Sequence, residues 1–241
     1  MKNVIFICLI LTYFSAIAQE KKLIWDYPVK PGMEKWSQFK SMDEMYQSCQ
    51  IPDKILKQLD TELLVDICLR FPAPPVFPLF NTPQDGFMAY FSNFNGIREL
   101  FNRKDAGKYL LKSYSMMSLS DFNSLWPMYK QGQFISHYKL VEAILSQQQI
   151  ISYLDAKEKK TLLKEAIRKI DEKISKNDLF GGSSIEMNLW VIGKLLYSEK
   201  KSYLQGFDQQ NVKYAMESGF FNNIDTDALY QQAKKYSYEN D

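Results

Sequence analysis

Residues 41–71 read SMDEMYQSCQIPDKILKQLDTELLVDICLRF, and the spacing of their apolar side chains decides the fold class. Met42, Met45, Tyr46 and Cys49 fall at i, i+3, i+4 and i+7, and Leu64, Ile67, Cys68 and Phe71 repeat that spacing. Each stretch therefore presents one apolar helical face. Ser41 and Glu44 have the spacing of a capping box that opens the first helix, and Asp60 or Thr61 is the N-cap of the second. Between them Pro52, Ile55, Leu56 and Leu59 suggest a short third helix with proline in its first turn. Pro72 ends the unit.

Outward to the N-terminus, Lys2 precedes an unbroken apolar run from Val4 to Leu11, followed by Ala16-Ile17-Ala18. That order is a secretory signal peptide over residues 1–18, with cleavage expected between Ala18 and Gln19. The run is short for a membrane span, so no span is expected after cleavage. The expected location is periplasmic or extracellular. Cleavage removes Lys2 and leaves 29 basic against 28 acidic residues, a net charge of +1. Such a balance gives no electrostatic reason to expect nucleic acid or an anionic membrane as a partner.

Cys49 and Cys68 are the cysteines that survive cleavage, Cys8 being lost with the leader. An even pair in an oxidising compartment favours a disulfide between Cys49 and Cys68. It would close a loop of about 20 residues and stabilise by roughly 3 kcal/mol. Two buried free thiols on apolar stripes are the alternative.

Residues 19–40, with Tyr27-Pro28, Lys30-Pro31-Gly32, Trp25 and Trp36, read as an extended strap ahead of an all-helical domain over residues 41–241. Phe71 to Pro83 interleaves five prolines with Val76, Phe77, Leu79 and Phe80, a buried or half-buried loop. Thr82-Pro83 restarts a helix with Phe87, Tyr90, Phe91 and Phe94 inward, broken at Asn95-Gly96. Asp105 caps a helix through Met117, residues 118–132 suggest a short helix, kink and turn around Pro127, and residues 134–153 form another helix. The clearest helix is 156–175, boxed by Asp155 and Glu158, with Leu162, Leu163, Ala166, Ile167, Ile170 and Ile174 on its apolar stripe and Lys and Glu opposite. Phe180-Gly181-Gly182-Ser183-Ser184 leads into a helix burying Ile185, Leu189, Ile192 and Leu196, where Gly193 suggests a close neighbour. Helices near 209–218 and 226–236, the last capped by Asp225, complete an irregular helical bundle or α-α superhelix of about eleven helices with no strands.

The search for chemistry is mostly negative. His137 is the sole histidine, sits in a helical pattern, and reads as a structural residue. One histidine and two cysteines make no metal-site spacing. Asn222, Asn223, Asp225 and Asp227 lack the glycine and distal glutamate of a calcium loop. Ser37-x-x-Lys40 and Ser198-x-x-Lys201 match a Ser-x-x-Lys pattern at the level of chance and have no companion motifs. Gly181 to Ser184 lacks a P-loop lysine and preceding strand. Adjacent carboxylates, Asp43 with Glu44 and Asp171 with Glu172, lie on charged faces. No catalytic residue, metal ligand or cofactor is therefore expected.

Tyr27-Pro28-Val29-Lys30-Pro31-Gly32, Cys49-Gln50-Ile51-Pro52 leading to Leu63, Cys68 and Pro72, then Asn95-Gly96, Lys104-Asp105-Ala106-Gly107 and Gly182-Ser183-Ser184, resemble a family of uncharacterised secreted helical proteins of Bacteroidetes-like bacteria. The resemblance implies export and a single helical unit, and it carries over no functional residue. The expectation is a non-enzymatic exported helical protein binding a partner protein or small ligand. The alternative is a carboxylate-dependent hydrolase acting on glycans.

Overall fold

The structure, a computed structural model, describes residues 25–73, 77–176, 182–199 and 201–239. The expected signal peptide with its cleavage site, Pro74-Pro75-Val76 and Phe180-Gly181 lie outside them. The described residues are all helical, with 13 α-helices and no strand among them. They run α1 (Glu34–Ser37), α2 (Met42–Ser48), α3 (Asp53–Leu56), α4 (Thr61–Leu69), α5 (Pro83–Asn93), α6 (Asn95–Phe101), α7 (Ala106–Met116), α8 (Met128–Leu145), α9 (Gln148–Tyr153), α10 (Ala156–Ile174), α11 (Gly182–Glu199), α12 (Gln209–Ser218) and α13 (Thr226–Glu239).

The helix starts follow local chemistry. Ser41 accepts the Glu44 N–H at 3.2 Å, but the Glu44 carboxylate reaches the Lys40 N–H at 2.8 Å instead of that of Ser41, so the expected box closes one residue early. Asp60 caps α4 through Leu63 N–H at 2.7 Å, and Thr82 caps α5 with Pro83 in its first turn. Asp155 and Glu158 form the full reciprocal box of α10, at 2.8 and 2.9 Å. Asp105 does not cap α7 with its side chain; it accepts the Thr61 hydroxyl at 2.9 Å and ties α7 to α4. Asn95 opens α6 and clamps the chain before α3, accepting Ile51 N–H at 3.0 Å and donating to Ile51 C=O at 2.7 Å.

One contiguous core runs from Tyr27 to Ala233. Its N-terminal part is aromatic: Phe71 packs against Phe94 and Tyr90 with ring centroids 4.5 and 5.0 Å apart and stacks on Tyr46. Its C-terminal part is aliphatic, with α10 along α11, α11 along α8, and α13 across α10 and α11. Gly193 of α11 admits α12 closely, since a Cβ there would sit 2.5 Å from Met216 Cε.

Three expectations are corrected. Cys49 and Cys68 are not bridged; both are free and fully buried. They pack as small apolar side chains around Tyr27, whose hydroxyl donates to Ile67 C=O at 2.8 Å. The helix expected over 134–153 starts earlier, at Met128, runs through Gly132, and breaks at Ser146-Gln147. In α10 the lysine face is not wholly in solvent: Lys169 and Lys173 are buried while Ile174 is half exposed.

Candidate functional site

Two constellations stand out, one buried and one open. The buried one joins four helices. Lys173 of α10 donates at 2.9 Å to each carboxylate oxygen of Glu142 in α8 and at 2.7 Å to the Asn188 carbonyl in α11. Asn188 donates to Glu142 and to the Tyr114 hydroxyl of α7, both at 2.8 Å, and Tyr114 donates to Glu142 at 3.1 Å. All four side chains are withdrawn from water. Burial pushes the Glu142 carboxyl up and the Lys173 amine down, opposed by their mutual contact. A closed ring of this kind has no room for a substrate, and its chemistry is that of an ionic tie.

Above it lies a groove on the outer face of α8. Near its N-terminal end the 117–127 connection and α8 enclose a cleft of about 380 Å³, lined by Met117, Ser118, Asp121, Trp126, Lys130, Gln133, Phe134, His137 and Tyr138. A second cleft of about 360 Å³ lies between α8, the end of α4 and the strap. Gln133 and His137 line both, so the clefts meet there.

Each wall has its cause. Trp126, Phe134 and Tyr138 form the aromatic floor, and Phe122 packs against Trp126 and Phe134 behind it, with ring centroids along the chain of contacts 5.3–6.0 Å apart. Lys169 of α10 donates to Met117 C=O at 2.6 Å, and Lys176, two residues past the end of α10, to Leu119 C=O at 2.9 Å, so two amines hold the carbonyls just past the C-terminus of α7. Lys169 lies 4.7 Å from the Tyr114 ring centre and 5.5 Å from that of Tyr138, and burial lowers its amine to about 8. Beneath the second cleft Arg70 grips Asp66 at 2.6 Å and Asp26 at 3.3 Å, while Lys30 also pairs with Asp26, which fastens the strap. Burial holds His137 below the ordinary imidazole range, with the Leu69 backbone carbonyl and Asp66 partly opposing. At neutral pH His137 thus faces the groove as a neutral ring that can both donate and accept.

The residues weighed from the sequence are otherwise accounted for locally. Ser37 donates to Glu34 C=O, Ser198 to Leu195 C=O, and Asp225 caps Ala228 N–H. Asp171 holds Tyr230 and Lys234, and Glu172 pairs with Arg168. The Ser183 and Ser184 side chains lie outside what is described. No group of three or more metal-ligating side chains occurs among the described residues. His137, read as a hydrogen-bonded structural residue from sequence, is held by the Leu69 backbone and also lines both clefts.

The sequence reading missed the floor residues and the tie. Signals for both exist. Only Asp121 and Lys130 are charged between residues 113 and 138, in a chain that is 24% charged. Glu142 is the single acid between Asp121 and Asp155, set inside the apolar run Leu140-Val141-Glu142-Ala143-Ile144-Leu145. No protein-family model matches the chain, and neither a curated protein nor a solved structure matches it.

Proposed function

We propose that the protein binds an elongated ligand or partner segment, without covalent chemistry, along the α8 groove. The observation that carries this reading is the meeting of two clefts at Gln133 and His137, one floored by Trp126, Phe134 and Tyr138 and the other edged by Arg70 and Lys30. Apolar walls with a few convergent polar groups are the usual make-up of a ligand site. The leader-like N-terminus supports a role outside the cytoplasm, as does the resemblance to secreted helical proteins. An amphipathic aromatic anion, anilinonaphthalene sulfonate, is the probe: saturable binding with enhanced emission is expected. Gln133→Trp, at an exposed position where the clefts join, should abolish that binding without lowering thermal stability. Absence of saturable binding, or equal binding by the variant, overturns the reading.

A second reading, a carboxylate-dependent hydrolase acting on glycans, is favoured by Glu186 of α11 and Asp227 of α13 lining one cleft of about 240 Å³. Burial raises the Glu186 carboxyl, as suits a general acid. Hydrolysis of aryl glycosides that both Glu186→Gln and Asp227→Asn abolish would establish it; no turnover by the unaltered protein removes it.

A further inference from the structure

Beside the groove the chain turns outward at Leu125-Trp126-Pro127-Met128-Tyr129 to begin α8. Leu125 is 89% exposed, Met128 88% and Tyr129 69%, so three large apolar side chains within five residues stand in water. Single exposed apolar residues are ordinary, but a cluster marks a contact surface. The turn is held rigidly. Trp126 is half-buried against Phe122 and Phe134, and the Gln131 amide donates to Trp126 C=O at 2.7 Å and to Ser124 C=O at 3.1 Å. The Leu125 N–H is taken by the Asn123 side chain at 2.8 Å, the Trp126 N–H by Asn123 C=O, and Pro127 has none to offer. The charge pattern is equally directed. Lys130 stands 4.5 Å from the Trp126 ring centre, no acid lies between Asp121 and Glu142, and the N-terminus of the 18-residue α8 offers its positive dipole end at the same place.

We infer that the 125–130 turn is a membrane-surface anchor, inserting Leu125, Met128 and Tyr129 among the lipids while Lys130 and the α8 N-terminus meet anionic headgroups. Tyrosine, tryptophan and lysine around an apolar tip are the composition of an interfacial contact. This is peripheral attachment, since no described helix is long and apolar enough to cross a membrane.

The test uses the chain begun at Gln19, so that the apolar Val4–Leu11 run does not itself enter lipid. Co-sedimentation is measured with phosphatidylcholine vesicles and with phosphatidylcholine–phosphatidylglycerol vesicles, and Trp126 depth by quenching with brominated acyl chains against a Trp126→Phe control. The protein is expected to bind the anionic vesicles more tightly than the neutral ones, with quenching lost in the control. The triple variant Leu125→Ser, Met128→Ser, Tyr129→Ser, confirmed as folded by circular dichroism, should bind at least tenfold more weakly. Lys130→Glu should weaken binding to anionic vesicles and leave neutral ones unaffected. Failure to bind either vesicle, or binding that the triple variant retains, overturns the inference. A dimer that the triple variant dissociates, with no vesicle binding, overturns it in favour of a second copy as the occupant. Loss of dye binding in Gln133→Trp is a separate readout, so either proposal can fail alone.

Discussion

His137 is where residue-scale physics meets the groove. Burial lowers its folded-state pKa beneath the ordinary 6.5, so above that value both the folded and unfolded imidazoles are neutral and contribute nothing. As pH falls below 6.5 the unfolded chain takes the proton first, and native stability declines until the folded ring is also protonated. The urea midpoint should therefore drop more steeply between about pH 7 and about pH 5 for the unaltered protein than for His137→Gln. Equal slopes would show that the ring is not withdrawn from water. The cysteines obey the same rule of burial: it pushes both thiols up, so at neutral pH they stay protonated and behave as small apolar side chains. Gly219 illustrates a backbone requirement. Its φ of +76° ends α12 in the left-handed region, and a Cβ there would lie 2.9 Å from both Pro83 Cβ and the Trp190 ring.

At the scale of elements, the ionic tie decides how α7, α8, α10 and α11 are registered. Ridge-into-groove packing of aliphatic helices tolerates sliding, because one apolar contact is much like the next. Lys173, Glu142, Asn188 and Tyr114 satisfy one another in a single alignment of the four helices. Removing one charge leaves the other buried without its counter-ion, so Glu142→Leu or Lys173→Met alone should each cost about 3–5 kcal/mol. The double variant, by removing both charges together, should recover most of that loss. Urea unfolding of the four members of the cycle measures this, and a double variant as unstable as the sum of the singles would contradict it. The same helix α10 sends Lys169 to the carbonyl of Met117, and Lys176 just past its end reaches that of Leu119, so one element both ties the core and holds a wall of the groove.

At the scale of the molecule, the aromatic N-terminal part and the aliphatic C-terminal part belong to one continuous core that spans Tyr27 to Ala233. Unfolding followed by far-ultraviolet circular dichroism and by tryptophan emission should therefore coincide in one transition, since Trp190 is fully buried where α11 meets α12. Two separated transitions would show the parts to be independent units. The helix starts at Ser41, Asp60, Thr82 and Asp155, the apolar stripes, the close approach at Gly193 and the all-helical class were legible in the sequence. They depend on spacing and capping within a few residues, which local chemistry dictates. The groove, the buried partners of Lys169 and Lys173, and the unbridged state of Cys49 and Cys68 were not, because each depends on how residues well separated in sequence pack in space. A lysine on a charged helical face reads as solvated until a neighbouring helix brings Glu142 and Asn188 to it. The sequence by itself determined helices and their inward faces; which polar side chains those faces would enclose, and which apolar ones would be left in water at the start of α8, only the tertiary packing decided, since burial is a property of the neighbours and not of the residue.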